Sequence, residues 1–213
     1  MSREVHHPIF ARVFERVSAK EQEEGQAEHR AELLAGLSGR VIEVGAGNGH
    51  NFSHYPETVD EVLAVEPEDY LRERATEAAA RANARIMVVD GLADALPGDE
   101  ASFDAGVASL VLCSVADQSA ALSELHRVIR PGGELRFYEH VVSEKPGFAR
   151  FQRAVTPVWR RLAGGCHADR DTKKAIRDAG FEIERSRDFP FRASILVLPA
   201  TPHVLGAARR TTA

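Results

Sequence analysis

This 213-residue chain has only two cysteines, Cys113 and Cys166, and they stand in separate segments. So low a thiol content excludes a disulfide-stapled secreted scaffold and suits a reducing compartment. It also offers no zinc-binding spacing, so no metal is expected. Any apolar run near the ~20 residues that cross a bilayer is equally missing. The opening MSREVHHPIF has no apolar core of signal-peptide length. A cytoplasmic protein without stable membrane insertion is expected. There is no basic excess either. The net charge of −5 argues against the phosphate backbone of a nucleic acid as partner, and Arg209-Arg210 is too short for a nucleic-acid tail. Repeats and low-complexity linkers are absent. With 44% hydrophobic and 28% charged residues, the chain is ordinary globular material for one domain with a sizeable core.

The pattern that is present alternates strands with helices. Ile9, Phe10, Val13, Phe14 and Val17 recur at helical spacing within a helical stretch over 8–36. Strands are expected at 40–45, 61–66, 84–89, 103–109 and 133–140. Helices are expected near 50–55, 68–82 and 117–130, the last stopped by Pro131-Gly132-Gly133 before the next strand. Residues 146–163 and 170–179 read as helices, and Phe181–Asp188 and His203–Arg210 as strands. The proline-bearing 190–202 stretch reads as a loop or a further short strand. This alternation predicts right-handed βαβ crossovers in an α/β fold. The expected architecture is a Rossmann-like seven-stranded mixed sheet, its last strand antiparallel, with helices on both faces. It forms a single domain over 1–213: a helical N-terminal lid at 1–38 and a Rossmann-like core at 39–213.

The most informative stretch is VIEVGAGNGHN at 41–51. An apolar strand carrying one acid, Glu43, runs into Gly45-Ala46-Gly47-Asn48-Gly49, where bare backbone lets a ligand come close. A dinucleotide fingerprint needs its third glycine where His50 stands, so that reading fails. The second anchor is Glu66, ending the next strand 21 residues after Gly45. A carboxylate beyond the carboxyl end of a neighbouring strand can accept from both hydroxyls of a ribose.

G-x-G-x-G with an acid two residues before it resembles motif I of the class I S-adenosylmethionine (SAM) methyltransferases. SLVLCSVADQSAALSELHRVIRPGGELRFYEHV at 109–141 resembles the stretch from the fourth to the fifth strand of the methyltransferase-11 type domain. LVLCSV at 110–115, EHV at 139–141 and GGCHADRDT at 164–172 together look like the small thiol S-methyltransferase-like family. Animal members begin with a hydrophobic anchor, which this chain does not show. Many relatives also place an acid where Leu92 stands.

The resemblance implies SAM-dependent methyl transfer to a small-molecule acceptor, first a thiol, leaving S-adenosylhomocysteine. An O- or N-methyltransferase of a small secondary metabolite or phospholipid also fits, as does a SAM-binding protein without catalysis. Monomer and homodimer both remain open. The implied cofactor residues are Glu43, Gly45, Ala46, Gly47, Gly49, Asn51, Glu66, Pro67, Gly91, Leu92, Ala93, Ser109 and Leu110. Glu43 either holds the ammonium through water or orients the turn, and Asn51 either caps or lines the pocket. Leu92 and Ala93 offer backbone to adenine, with Asp90 or Asp94 as substitute acceptor.

On the acceptor side, His140 is expected at the end of the fifth strand as base or substrate orienter. Cys113, Glu139, Cys166 and His167 are candidate acceptor contacts. No histidine stands at motif distance from either cysteine to make a nucleophilic pair, so direct transfer is expected.

Overall fold

The protein is described from a computed structural model that covers residues 22–191 and 195–212, with Arg12, Glu15 and Ser18 besides. Seven strands form one sheet in the order β3-β2-β1-β4-β5-β7-β6. They are β1 Gly39–Val44, β2 Val59–Val65, β3 Ile86–Val89, β4 Phe103–Ser109, β5 Ile129–His140, β6 Phe181–Pro190 and β7 Pro202–Arg210. The first five run parallel, and β7 lies antiparallel between β5 and β6. The last strand is therefore antiparallel, and β6 and β7 pair, as the pattern predicted.

Five α-helices accompany the sheet: α1 Ala27–Leu34, α2 Asp69–Ala79, α3 Gln118–Val128, α4 Pro146–Leu162 and α5 Thr172–Asp178. Three of them start on an acid whose carboxylate takes an orphan amide of the first turn. Glu68 accepts from Leu71, Asp117 from Ala120 and Asp171 from Lys174, each at 3.0 Å.

Strand alternation divides the core between two faces. Val41, Val62, Ala64, Ala105 and Val107 join Leu33, Leu34 and Ala75 on the side of α1 and α2. Ile42, Val44, Ala108, Leu135 and Phe137 join Leu122, Leu125 and Ile176 on the side of α3 and α5. Among the described residues, no helix is long and apolar enough to cross a membrane.

Three expectations need correction. The helix expected near 50–55 is a single 3₁₀ turn, Phe52–His54. The helix before the fifth strand stops at Val128, and Ile129 already pairs with Phe103, so Pro131-Gly132-Gly133 forms an irregularity inside β5. Gly133 is needed there because a Cβ would come within 2.7 Å of the Asp104 carbonyl. The stretch after β6 holds a 3₁₀ turn at Ile195–Ala200, with no further strand among its described residues.

The apolar stripe Ile9, Phe10, Val13, Phe14 and Val17 lies outside the described residues. Nearby, Ser18 is buried and meets Asn48 Nδ2 at 3.2 Å and His50 Nε2 at 3.1 Å. Tyr70 donates to Glu15 at 2.5 Å. This part of the N-terminal segment therefore rests on the glycine turn and the start of α2.

Candidate active site

Parallel strands end together, so everything after the carboxyl ends of β1, β2, β4 and β5 collects along one edge of the sheet. The chain leaves β1 through Gly45, whose amide donates to the Val65 carbonyl at 2.8 Å; the Ala46 amide shares that carbonyl at 3.1 Å. Gly45 has φ 65°. A Cβ there would stand 2.3 Å from Val111 Cγ2, so the loop after β4 packs against naked backbone.

Glu66, just past β2, is buried. Its Oε2 accepts from the Gly47 amide at 2.8 Å and its Oε1 from the Glu68 amide at 3.0 Å. Burial pushes its pKa up, and the two amides oppose that. Glu66 therefore ties the glycine turn to the end of β2.

A second carboxylate, Glu43, lies deeper. Burial raises its pKa to about 7, although Tyr55 Oη donates to it at 2.6 Å and Asn51 Nδ2 at 2.8 Å. The network continues to Arg30, which sequence reasoning missed. From α1 its Nη1 donates to Asn51 Oδ1 at 2.8 Å and to Ser109 Oγ at 2.9 Å, and its Nη2 to Gln26 Oε1 at 3.4 Å. The signal was available: Arg30 stands three and four residues before the buried Leu33 and Leu34, hence on the inward face of α1. Asn51 is accordingly a buried link in this network; it stands before the Phe52–His54 turn, but its side chain makes no capping hydrogen bond there. Arg30, Glu43, Gly45, Ala46, Gly47, Ser109 and Leu110 line a cavity of about 60 Å³.

The loop after β4 is strained and braced. Leu110 has φ 58°, a conformation uncommon outside glycine, and its amide donates to the Tyr138 carbonyl at 2.6 Å. Glu139, fully buried on β5, takes the next three amides: Val111 at 3.0 Å, Leu112 at 2.9 Å and Cys113 at 3.0 Å. Both its oxygens are engaged, so Glu139 braces this loop and does not reach an acceptor.

The other acceptor candidates converge. His140 Nδ1 lies 3.4 Å from Cys113 Sγ and 3.4 Å from Cys166 Sγ. Distance along the chain had argued against any cysteine–histidine pair. The fold makes one because β4, β5 and the α4–α5 connection end at the same edge. The α4–α5 connection is pinned there: the His167 amide donates to the Cys113 carbonyl at 2.7 Å, and a Cβ on Gly165 would come within 2.8 Å of the Ser114 carbonyl. Arg170 locks the same corner, donating to the Leu112 carbonyl at 2.6 Å and to that of Val115 at 2.8 Å. Both sulfurs are buried. Contact with Cys166 and burial push the Cys113 thiol up, whereas Cys166 is lowered, chiefly by that same contact. His167 supplies its backbone to the corner; its side chain is half-buried.

Beyond β3, Gly91, Leu92 and Ala93 form a tight loop closed by a Leu92–Ala95 bridge. Asp90 there pairs with Arg72 at 3.3 Å, and Pro67 offers its carbonyl to the same arginine at 3.0 Å.

The residues present have the chemistry that SAM calls for: a cation in Arg30, carboxylates in Glu43 and Glu66, and bare backbone at the glycine turn.

Comparison with known proteins agrees. Residues 42–137 match a methyltransferase domain. Human thiol S-methyltransferase TMT1B is 35% identical over 183 residues, covering 82% of this chain and 73% of that protein. Human thiol S-methyltransferase TMT1A is 37% identical over 182 residues, with the same coverage. Geranyl diphosphate methyltransferase, solved with SAM, superposes at a TM-score of 0.69 with 16% identity, covering 89% of this chain and 86% of that one, and so attests the fold. With the glycine turn, Glu66 and the sheet order in place, the chain belongs to the SAM-dependent methyltransferases, in the family of the thiol S-methyltransferases.

Proposed function

We propose that this protein methylates the sulfur of a small-molecule thiol. The observation that carries the reading is the 35% identity with human thiol S-methyltransferase TMT1B, sustained over 82% of the chain. Bound SAM supplies a methyl group on a sulfonium, and no metal is needed to activate that methyl. What the protein contributes is position. In this reading Arg30, Glu43 and Glu66 hold the methionine and ribose ends, while Gly45, Ala46, Gly47 and Gly49 bring backbone close. Pro67, Gly91, Leu92 and Ala93 form the adenine side, and Ser109 and Leu110 present backbone to the ammonium.

The acceptor meets the corner formed by Cys113, His140, Cys166 and His167. A thiol of pKa ~8.5 is partly ionised near neutral pH and needs little help from a base. His140 already has Nδ1 against two sulfurs, which supports an orienting role over proton removal. We further assign the chain to the cytoplasm as one unit over 1–213, monomeric or homodimeric, with the described part of the N-terminal segment beside the glycine turn. The contacts of Ser18 and Glu15 support that placement.

Labelled SAM offered with a panel of thiols, phenols and amines tests the reading. Transfer to thiols is the expected result. Transfer only to phenols or amines would move the function to O- or N-methylation, and binding of SAM without turnover on any of them would make this a non-catalytic SAM-binding protein.

A further inference from the structure

The geometry points to a zinc site formed by Cys113, His140 and Cys166, with its fourth position open to the sulfur of the acceptor. Three donor atoms from three separate segments converge there: Cys113 Sγ, His140 Nδ1 and Cys166 Sγ all lie within 4.8 Å of one another. Zinc with Zn–S near 2.3 Å and Zn–N near 2.0–2.1 Å holds tetrahedral sulfur and nitrogen ligands about 3.5 Å apart. Each sulfur here is 3.4 Å from the one nitrogen. Two thiols merely packing in a core have no reason to address the same ring nitrogen.

The surrounding structure fixes each ligand in place. Glu139 holds the backbone of Cys113 through its amide. Gly165 lets the Cys166 segment approach the Ser114 carbonyl, and the His167 amide ties that segment to Cys113. On β5, His140 pairs in register with His203, whose ring packs edge-on against it at 4.6 Å. Such outer support is what sets the orientation of a ligating histidine. Arg170, bound to the carbonyls of Leu112 and Val115, adds positive charge that favours thiolates.

Charge and protons balance. The two thiols lose two protons, the imidazole is neutral, and two thiolates cancel the charge of Zn²⁺, which suits a buried cluster. Among the described residues, no fourth cysteine, histidine or carboxylate joins the group. Three protein ligands with one open position are the mark of a zinc that handles substrate. This part rests on the thiol reading above. An acceptor thiol would release its proton to solvent on binding and sit on the metal as a thiolate; forming its bond to the methyl would break the methyl–sulfonium bond of SAM, leaving a thioether and S-adenosylhomocysteine.

The test begins with the full-length wild-type protein, purified under reductant and without chelator. Elemental analysis should find about one zinc per chain. The chelated protein should take zinc back in competition with a chromogenic chelator. Cys166→Ser and His140→Gln should each lose at least tenfold in zinc affinity with unchanged far-ultraviolet circular dichroism. A wild-type protein that neither carries nor takes up zinc would overturn the site, whatever the variants do. A chain two hydrogens lighter under non-reducing mass spectrometry, with no metal, would replace it with a Cys113–Cys166 disulfide.

Cobalt(II) in place of zinc then reports the open position. Adding a small thiol should shift the visible absorption bands, and unchanged bands would refute acceptor binding to the metal. Zinc content does not depend on the acceptor panel, so failure of the thiol reading is seen separately.

Discussion

Replacing Glu66 tests the cofactor site most directly, because the structure gives this carboxylate two duties. It should accept from the ribose hydroxyls, and it already accepts from the amides of Gly47 and Glu68 at 2.8 and 3.0 Å. Hydrogen bonds to a charged partner contribute roughly 1.5–3 kcal/mol each, and a buried amide left without an acceptor costs about 1–3 kcal/mol. Glu66→Ala opens room for water to reach both amides, so the stability loss should sit near the low end, about 1–2 kcal/mol. Loss of the ribose contact together with loosening of the turn should weaken S-adenosylhomocysteine by about 1.5–3 kcal/mol, roughly 10- to 150-fold. Glu66→Gln sharpens the test. One of its terminal atoms becomes an NH₂ facing a backbone N–H, so it should be nearly as impaired as the alanine variant. A contact serving the ribose alone would leave glutamine mostly competent. Isothermal titration calorimetry gives the affinities and thermal melts give the stability. Binding by Glu66→Ala within threefold of the parent, with the fold intact, would refute the assignment.

Glu43 binds a proton more tightly in the folded protein, with its pKa raised to about 7, so its contribution to stability falls as pH rises from about 4.5 to 7. Glu43→Gln should be more stable than the parent by up to about 3 kcal/mol above pH 7 and lose the advantage below pH 4.5, as read from urea midpoints across that range. Arg30→Met should weaken S-adenosylhomocysteine by about tenfold or more while leaving methylthioadenosine, which lacks the carboxylate, unchanged; equal losses for both would make Arg30 a purely structural link. Gly165→Ala forces a side chain into φ 87° and onto the Ser114 carbonyl, which should cost about 1–2 kcal/mol and lower the melting temperature by roughly 2–8 °C; an unchanged melt would show that this corner yields. His140→Ala should slow thiol methylation and lose zinc together, the loss shrinking toward pH 8.5 as the acceptor ionises unaided, whereas a loss of ~10²–10⁴-fold that recovers in the same way with zinc retained would identify a proton acceptor.

The cofactor half of the site was legible because its parts lie close in sequence and follow a strand-to-turn pattern. Glu43, the glycines and Glu66 sit within 24 residues, and each is a residue type placed against its local periodicity: an acid in an apolar strand, glycines where a helix would begin. Arg30 was hidden because a charged residue in a charged helix is the normal case, and only its spacing from Leu33 and Leu34 marks the buried face. The sulfur–imidazole corner was unreadable for a different reason. Its members are 27 and 26 residues apart in the chain, and only the parallel arrangement of β4 and β5 and the return of the α4–α5 connection bring them together. Spacing rules for metal ligands assume a local hairpin or helix, and none is used here. The end of the third helix was misjudged because Pro-Gly-Gly is as good a strand irregularity as it is a stop.

The insertion of β7 between β5 and β6 has a consequence for how the molecule is made. Until β7 is in place, β5 has no partner on its outer side, and β6 has no place in the sheet. His140 then ends an open edge strand, and Val204 and Leu205, which the folded sheet buries beside Asp188 and Arg187, have not yet covered it. Closure of the sheet therefore waits on β7, and a chain cut before Pro202 should expose a sticky edge and aggregate. In this fold β7 acts as the keystone, and whether the sheet is whole reduces to whether that one strand has slotted home.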